Sequence, residues 1–213
     1  MRPIYNLFAG RSLERLAALS DGVFAIAVTL LVLDLRVPPS HPNMSERELW
    51  SALVALSPRI VAYLLSFLTL GIFWVGQQTQ LNHFARGDRN LAWIHLGFLL
   101  AVTLMPFSTG LLSAFIAYRV ALAVYWLNIF LLGAMLFAGW RYARRVKLVR
   151  EEVTEEMSAA VERRIIIAQG LYTFGAALCL LPIPNNTYIS IAVIVLIQLN
   201  YAIAPQIRWL YRL

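Results

Sequence analysis

Residues 15–34 read RLAALSDGVFAIAVTLLVLD, and this stretch decides how the rest of the chain is understood. Arg15 and Asp21 stand at the head of an apolar run that reaches Leu33 without another charge. A run of roughly 20 apolar residues is what a helix needs to cross the hydrocarbon of a bilayer. Ionisable groups at that depth are costly, so they mark pairing or function. Arg15 and Asp21 are six residues apart, about 600° of rotation at 100° per residue. They do not share a helix face, so their partners are expected on other helices.

The other side of the same helix carries a second pattern. Ile26, Leu30 and Leu33 follow i, i+4, i+7 spacing and form one stripe, with Thr29 and Gly22 beside it. Asp21 lies about 140° around from Ile26 by the same rotation. The spacing therefore predicts a polar face turned into the subunit and an apolar stripe turned elsewhere. Such a stripe serves helix packing or lipid contact. Repeated around an axis, it makes a hydrophobic constriction that gates by dewetting.

Working outward, the rest of the chain has the same character. Its 213 residues are 60% hydrophobic and only 14% charged, with a mean hydropathy of +0.69. Lipid is the solvent this composition fits. Hydropathy predicts an all-α, polytopic membrane protein of six transmembrane helices, at residues 17–35, 60–79, 91–112, 115–140, 165–181 and 188–204, forming one domain over 1–213. Pro38, Pro39 and Pro42 stop the first span, and Pro182, Pro184 and Asn185 mark the last turn. The single cysteine, Cys179, excludes an internal disulfide. The first ten residues do not read as a removable signal peptide.

Orientation follows from Lys and Arg. With the N-terminus inside, only Arg36, Arg47, Arg59 and Arg119 of the 18 basic residues fall outside. That asymmetry predicts cytoplasmic termini. It also explains the net charge of +7 without nucleic acid, which is not expected as a partner. Trp74, Gln77, Gln78 and His83 at the end of the second span, and Asn90, Trp93 and His95 at the start of the third, then fall at the depth of Arg15, Ser20 and Asp21. A buried polar knot is expected there. Its role is either to hold the first helix in place or to sense protons. The loop 141–164 has a basic block followed by Glu151, Glu152, Glu155 and Glu156 and lacks Pro and Gly. The fourth and fifth helices are expected to extend through it and meet.

Enzyme signals are weak. The three histidines, His41, His83 and His95, do not form an HExxH motif, and there is no paired Cys or phosphate-binding glycine loop. Neither catalytic residues nor a metal or cofactor is expected.

The motif Arg15-x-x-x-Leu19-Ser20-Asp21-Gly22 resembles the Arg-x-x-x-Phe-Ser-Asp signature of the transmembrane protein 175 family of potassium channels. Phe73-Trp74 with Gln77-Gln78 is similar to the family's Phe-Trp-x-x-His-His, and Pro106-Phe107-Ser108-Thr109 to its Pro-Phe-Pro-Thr. Leu127-Asn128 and Trp140-Arg141-Tyr142 fit its fourth helix. The resemblance implies a prokaryotic inner-membrane homotetramer. Helix one of each subunit would line a central pore modestly selective for K+ over Na+. The constriction would be Ile26, Leu30 and Leu33, and Thr29 the threonine layer. Arg15, Ser20, Asp21, Trp74, Gln77, Gln78 and His95 would form the structural polar network. Leu19 replaces an aromatic residue. Gln77 and Gln78 replace histidines and do not titrate near neutral pH, whereas His95 stands where relatives often carry Asn. Two other readings remain: a proton-coupled cation transporter or proton leak channel using Asp21, and a membrane-embedded enzyme.

Overall fold

Backbone N–H and C=O groups in hydrocarbon must find partners within the protein, and a helix supplies them from its own turn. The chain takes that solution throughout its apolar stretches. The computed structural model describes residues 13–39 and 41–203. Its helices are α1 (Leu13–Leu31), α2 (Glu46–Ala55), α3 (Ser57–His83), α4 (Arg89–Thr103), α5 (Met105–Ala114), α6 (Arg119–Arg145), α7 (Glu155–Ala177) and α8 (Asn186–Ile203). Short 3-10 turns at Val32–Asp34 and Leu178–Leu180 extend α1 and α7.

Five segments have the length and composition of a membrane span: Leu13–Asp34, Ser57–His83, Arg89–Ala114, Arg119–Arg145 and Asn186–Ile203. Residues 165–181, expected as a further span, occupy the second half of α7 and the turn after it. The first half of α7 carries Glu155, Glu156, Glu162, Arg163 and Arg164, and α7 is not among the five. The segments that qualify run several residues beyond most of the hydropathy boundaries. The fourth is an exception at its start: Tyr118 precedes α6, so the helix opens at Arg119 rather than Phe115.

Two features of the helical layout differ from the expectation. The loop after Pro39 contains a helix of its own, α2, opened by Ser45 in a reciprocal capping box with Glu48. Hydrogen bonds from the Ser45 backbone and hydroxyl hold the Glu48 carboxyl below the usual carboxylate range. Leu49, Trp50, Leu53 and Val54 on α2 are exposed, the pattern of a helix lying along a membrane interface. The third span is broken at Leu104 into α4 and α5. Pro106 has no N–H to continue the ladder. Asn128 on α6, with its amide oriented by its partners, donates to Ala101 O (3.0 Å) and accepts from Met105 N (3.2 Å). One side chain thus replaces the missing backbone bond across the break.

The loop 141–164 does bring α6 and α7 together. Arg144 pairs with Glu155 (2.5 Å) and Glu162 (2.7 Å). The helices do not run into one another, because Lys147 adopts a positive φ of 58° and turns the chain back. The connector then bonds to the α3–α4 loop through Ala85 N to Leu148 O (2.8 Å) and Arg150 N to His83 O (2.9 Å).

In the core, Leu132, Ile129, Met105, Phe98 and Tyr125 are fully buried in one apolar cluster. The Tyr125 hydroxyl joins Thr69 (3.0 Å) and Ser66 (3.3 Å), Ser66 accepts from Thr109 (2.6 Å), and Gln198 donates to Thr69 (2.5 Å). These groups tie α3, α5, α6 and α8 at mid-membrane. Interhelical bonds of this kind contribute on average about 0.6 kcal/mol each in lipid.

The Asn128 bridge yields a stability prediction. Asn128→Leu keeps the side-chain volume but leaves Ala101 O and Met105 N buried without partners, each costing about 1–3 kcal/mol. Thermal unfolding of the detergent-solubilised protein should show a clear fall in Tm. A Tm within a degree of the parent would mean that the break is satisfied by another route.

Candidate pore helix and its polar anchors

Helix α1 buries a narrow face. Ser20, Phe24, Ala27 and Leu31 point into the bundle at i, i+4, i+7, i+11 spacing. They meet α3, α4 and α5. The opposite face carries the predicted stripe, and all three residues lie open on the single chain: Ile26 is 61% exposed, Leu30 45% and Leu33 67%. Only 22% of this span's window is buried within the chain, the lowest share among the five, against 44% for Arg89–Ala114. Apolar packing alone therefore holds this helix less than any other span.

Polar contacts hold it near its N-terminal end. Ser20 is fully buried. Its Oγ donates to Leu16 O (2.8 Å), accepts from Gln77 Nε2 (3.2 Å) and lies 2.6 Å from His95 Nε2. A hydroxyl has one proton and two lone pairs. With that proton on Leu16 O, His95 is left to donate through Nε2–H, so the three contacts saturate Ser20. Gln77 comes from α3 and His95 from α4, so one hydroxyl ties three helices. Gln77 Oε1 is buried without a protein partner. It faces a small cavity of about 20 Å³ shared with Gln80 and His95, room enough for one water.

Asp21 sits one residue on, about 100° around the helix, and is placed differently. Its Oδ1 accepts from Trp74 Nε1 (2.9 Å) and Gln78 Nε2 (2.8 Å), but Asp21 and Trp74 are exposed. The single knot expected from the sequence is therefore two branches: Ser20, Gln77 and His95 inside the subunit, and Asp21, Trp74 and Gln78 on its surface. Arg15 lies exposed on the first turn of α1. The other groups expected near the knot are engaged elsewhere or open. His83 Nδ1 meets Thr79 O of its own helix (2.6 Å), Asn90 donates to the Tyr142 hydroxyl (3.1 Å), and Trp93 is exposed.

The C-terminal end is anchored as well, and sequence reasoning assigned no role to those residues. Ser113 on α5 donates to Asp34 Oδ2, and Arg59 on α3 reaches Asp34 O at 3.4 Å. The signal available was Asp34 itself, a carboxylate ending an otherwise apolar run. Among the described residues there is no cluster of three or more His, Cys, Asp or Glu able to hold a metal.

The two branches differ in what their loss leaves behind. Ser20→Ala takes a buried partner from the Gln77 amide and the His95 ring, at a cost of about 1–3 kcal/mol. Asp21→Ala strands two donors on residues that reach the surface, where water or lipid headgroups can take them. Ser20→Ala should lower the Tm of the purified protein more than Asp21→Ala. The reverse order would place Asp21 in a buried contact of the assembled protein.

Comparison with known proteins fits this geometry. Residues 15–106 match the family model described as "Endosomal/lysosomal potassium channel TMEM175", a segment that contains both anchored ends of α1. A potassium channel of Chamaesiphon minutus is 32% identical over 89% of this chain and 93% of its own length. A potassium channel of Streptomyces collinus is 39% identical over 62% of this chain, which spans 64% of that relative. The human protein named "Endosomal/lysosomal proton channel TMEM175" is 34% identical over 52% of this chain but only 23% of its own length. The crystal structure of a TMEM175 homolog from Chamaesiphon minutus, described as a lysosomal potassium-selective channel, superposes with a TM-score of 0.76 at 29% identity, covering 90% of this chain and 97% of that one. A polytopic membrane protein with one weakly buried, doubly anchored helix, this chain belongs to the TMEM175 family of ion channels.

Proposed function

We propose that the chain is one subunit of a homotetrameric, potassium-permeable cation channel in which α1 from each copy surrounds the conduction path. The observation that carries this reading is the face of α1 holding Ile26, Leu30 and Leu33, left open by a helix that polar contacts fix at both ends. A helix so held and so little covered by its own subunit has its remaining surface available for copies of itself. The names of the bacterial relatives support potassium as the permeant ion.

In this arrangement the three side chains make an apolar neck that excludes water until it widens. Thr29 lies between two of these layers. Its hydroxyl donates to Ile26 O of its own helix (2.8 Å), so the oxygen presents lone pairs outward. Four such oxygens suit a partly hydrated cation and would favour potassium over sodium modestly. No bound cofactor enters this scheme; the ion is the substrate. Transient water in the neck would also carry protons, in keeping with the name of the human relative. The runner-up, proton coupling through Asp21, is less well supported, because Trp74 and Gln78, which donate to its carboxylate, are neutral. The chain is read as a single domain of six spans, with α7 crossing the membrane from Ile165 onward and both termini cytoplasmic. The lysine and arginine distribution supports that orientation, and the bacterial relatives support a prokaryotic inner membrane.

Two outcomes test this reading. Potassium and sodium flux into liposomes containing purified protein should rise for Ile26→Asn, with the preference for potassium reduced, since a polar layer wets the neck. Val28→Asn, on a partly buried face packed against the core, should disturb folding without raising flux. Equal flux for the parent and Ile26→Asn, where the parent conducts, would remove α1 from the pore. Single cysteines settle the topology: in inside-in vesicles, Val37→Cys and Ile183→Cys should react with an impermeant thiol reagent from outside, and Glu152→Cys only after permeabilisation. Labelling of Ile183→Cys on the same side as Glu152→Cys would mean that α7 does not cross.

A further inference from the structure

Away from α1, a groove of about 540 Å³ opens between α3 and α7, floored by Leu136 and Trp140 of α6 and closed at one end by Tyr201 of α8. Its walls are mostly apolar. Gly71 and Ala168 keep it wide, and a Cβ added at Gly71 would meet no atom within 4 Å. The volume falls in the range of about 300–1,000 Å³ typical of ligand sites.

Polar groups on its walls such as Trp74, Thr79, His83 and Trp140 are engaged within the protein, but three others stand out. Arg164 stands at the end where α7 enters its apolar half, and it makes no salt bridge or hydrogen bond among the described residues. The positions three and four residues to either side are Ala160, Val161, Ile167 and Ala168, so α7 itself offers no carboxylate to this cation. Two turns deeper, the Tyr172 hydroxyl is buried on the groove wall with no hydrogen-bond partner, and Gln169 Oε1 is likewise unpartnered. Buried polar groups left unsatisfied are uncommon because they cost free energy.

The geometry points to a binding site for an anionic phospholipid, with its phosphate at Arg164 and an acyl chain along the groove. The long arginine side chain extends toward the interface, where a lipid phosphate lies. A purely apolar occupant would leave the cation unanswered. A basic group at the mouth of a cleft between membrane helices is the known physical form of anionic headgroup recognition. The site is separate from the Ile26 stripe and does not depend on whether the protein conducts potassium.

Native mass spectrometry of the full-length protein, released from micelles containing equal amounts of phosphatidylglycerol and phosphatidylcholine with matched chains, tests it. The parent should retain phosphatidylglycerol in preference. Arg164→Gln should lower that retention about fivefold, the worth of one basic residue near a lipid surface, while Arg164→Lys keeps the preference. Gly71→Leu, which fills the groove from open space, should abolish retention of both lipids with the melting temperature and oligomer size unchanged. Equal retention of the two lipids by the parent, or retention untouched by Gly71→Leu, would overturn the proposal. The second result is also what a groove filled by the chain's own C-terminal segment or by another subunit would give. Because the readout is lipid and not ion flux, failure here leaves the channel reading standing.

Discussion

The contact on which the rest depends is the Ser20 hydroxyl, with its single proton on Leu16 O and its lone pairs facing Gln77 and His95. Lipid is as apolar as a leucine side chain, so burying leucines gives little reason for one membrane helix to sit against another in a fixed rotation. α1 has the weakest apolar hold of the five qualifying spans. Without a directional contact its rotation would be poorly fixed, and a rotated α1 would turn Ile26 toward the bundle and Phe24 outward. Ser20 near the N-terminal end and Asp34 at the C-terminal end pin the rotation. What faces away from the subunit is then set by helical geometry rather than by any property of the stripe itself.

The same logic recurs at other points of stress. Pro106 breaks the third span, and Asn128 from a neighbouring helix restores the missing bonds. At mid-membrane, Tyr125 joins hydroxyls from α3 and α5, while Gln198 joins the group from α8. In each case a small polar side chain supplies the specificity that hydrophobic contact in a bilayer lacks. The groove at Arg164 is the converse: a cation stands there without a carboxylate among the described residues, and the surrounding lipid is the available source of an anion.

The spans were legible because hydropathy reports burial in lipid directly, and the stripe because helical period needs no knowledge of neighbours. The separation of Ser20 from Asp21 was harder to read. Both are polar and adjacent, and only the packing of α3 and α4 decides which of two directions about 100° apart is interior. Asp34 with Ser113, Asn128 with the break at Leu104, and Tyr125 with Thr69 are pairings between distant positions, invisible to any local pattern. α2 was missed because its ten residues fall in a loop flanked by prolines and too short to register as a span. The bend at Lys147 was missed because its positive φ belongs to a residue type that gives no turn signal. The charged first half of α7 shows the limit of hydropathy itself: it reports only that half the helix suits lipid.

The central claim is that the open face of α1 surrounds the ion path. Cysteine accessibility during conduction tests it most directly. In a background with Cys179→Ala, Leu30→Cys should make potassium flux through reconstituted protein sensitive to block by cadmium ions, because four thiols would converge on the axis. Val28→Cys, partly buried on another face of the helix, should leave flux insensitive. Block at Val28→Cys with none at Leu30→Cys, in proteins that both conduct, would contradict the account.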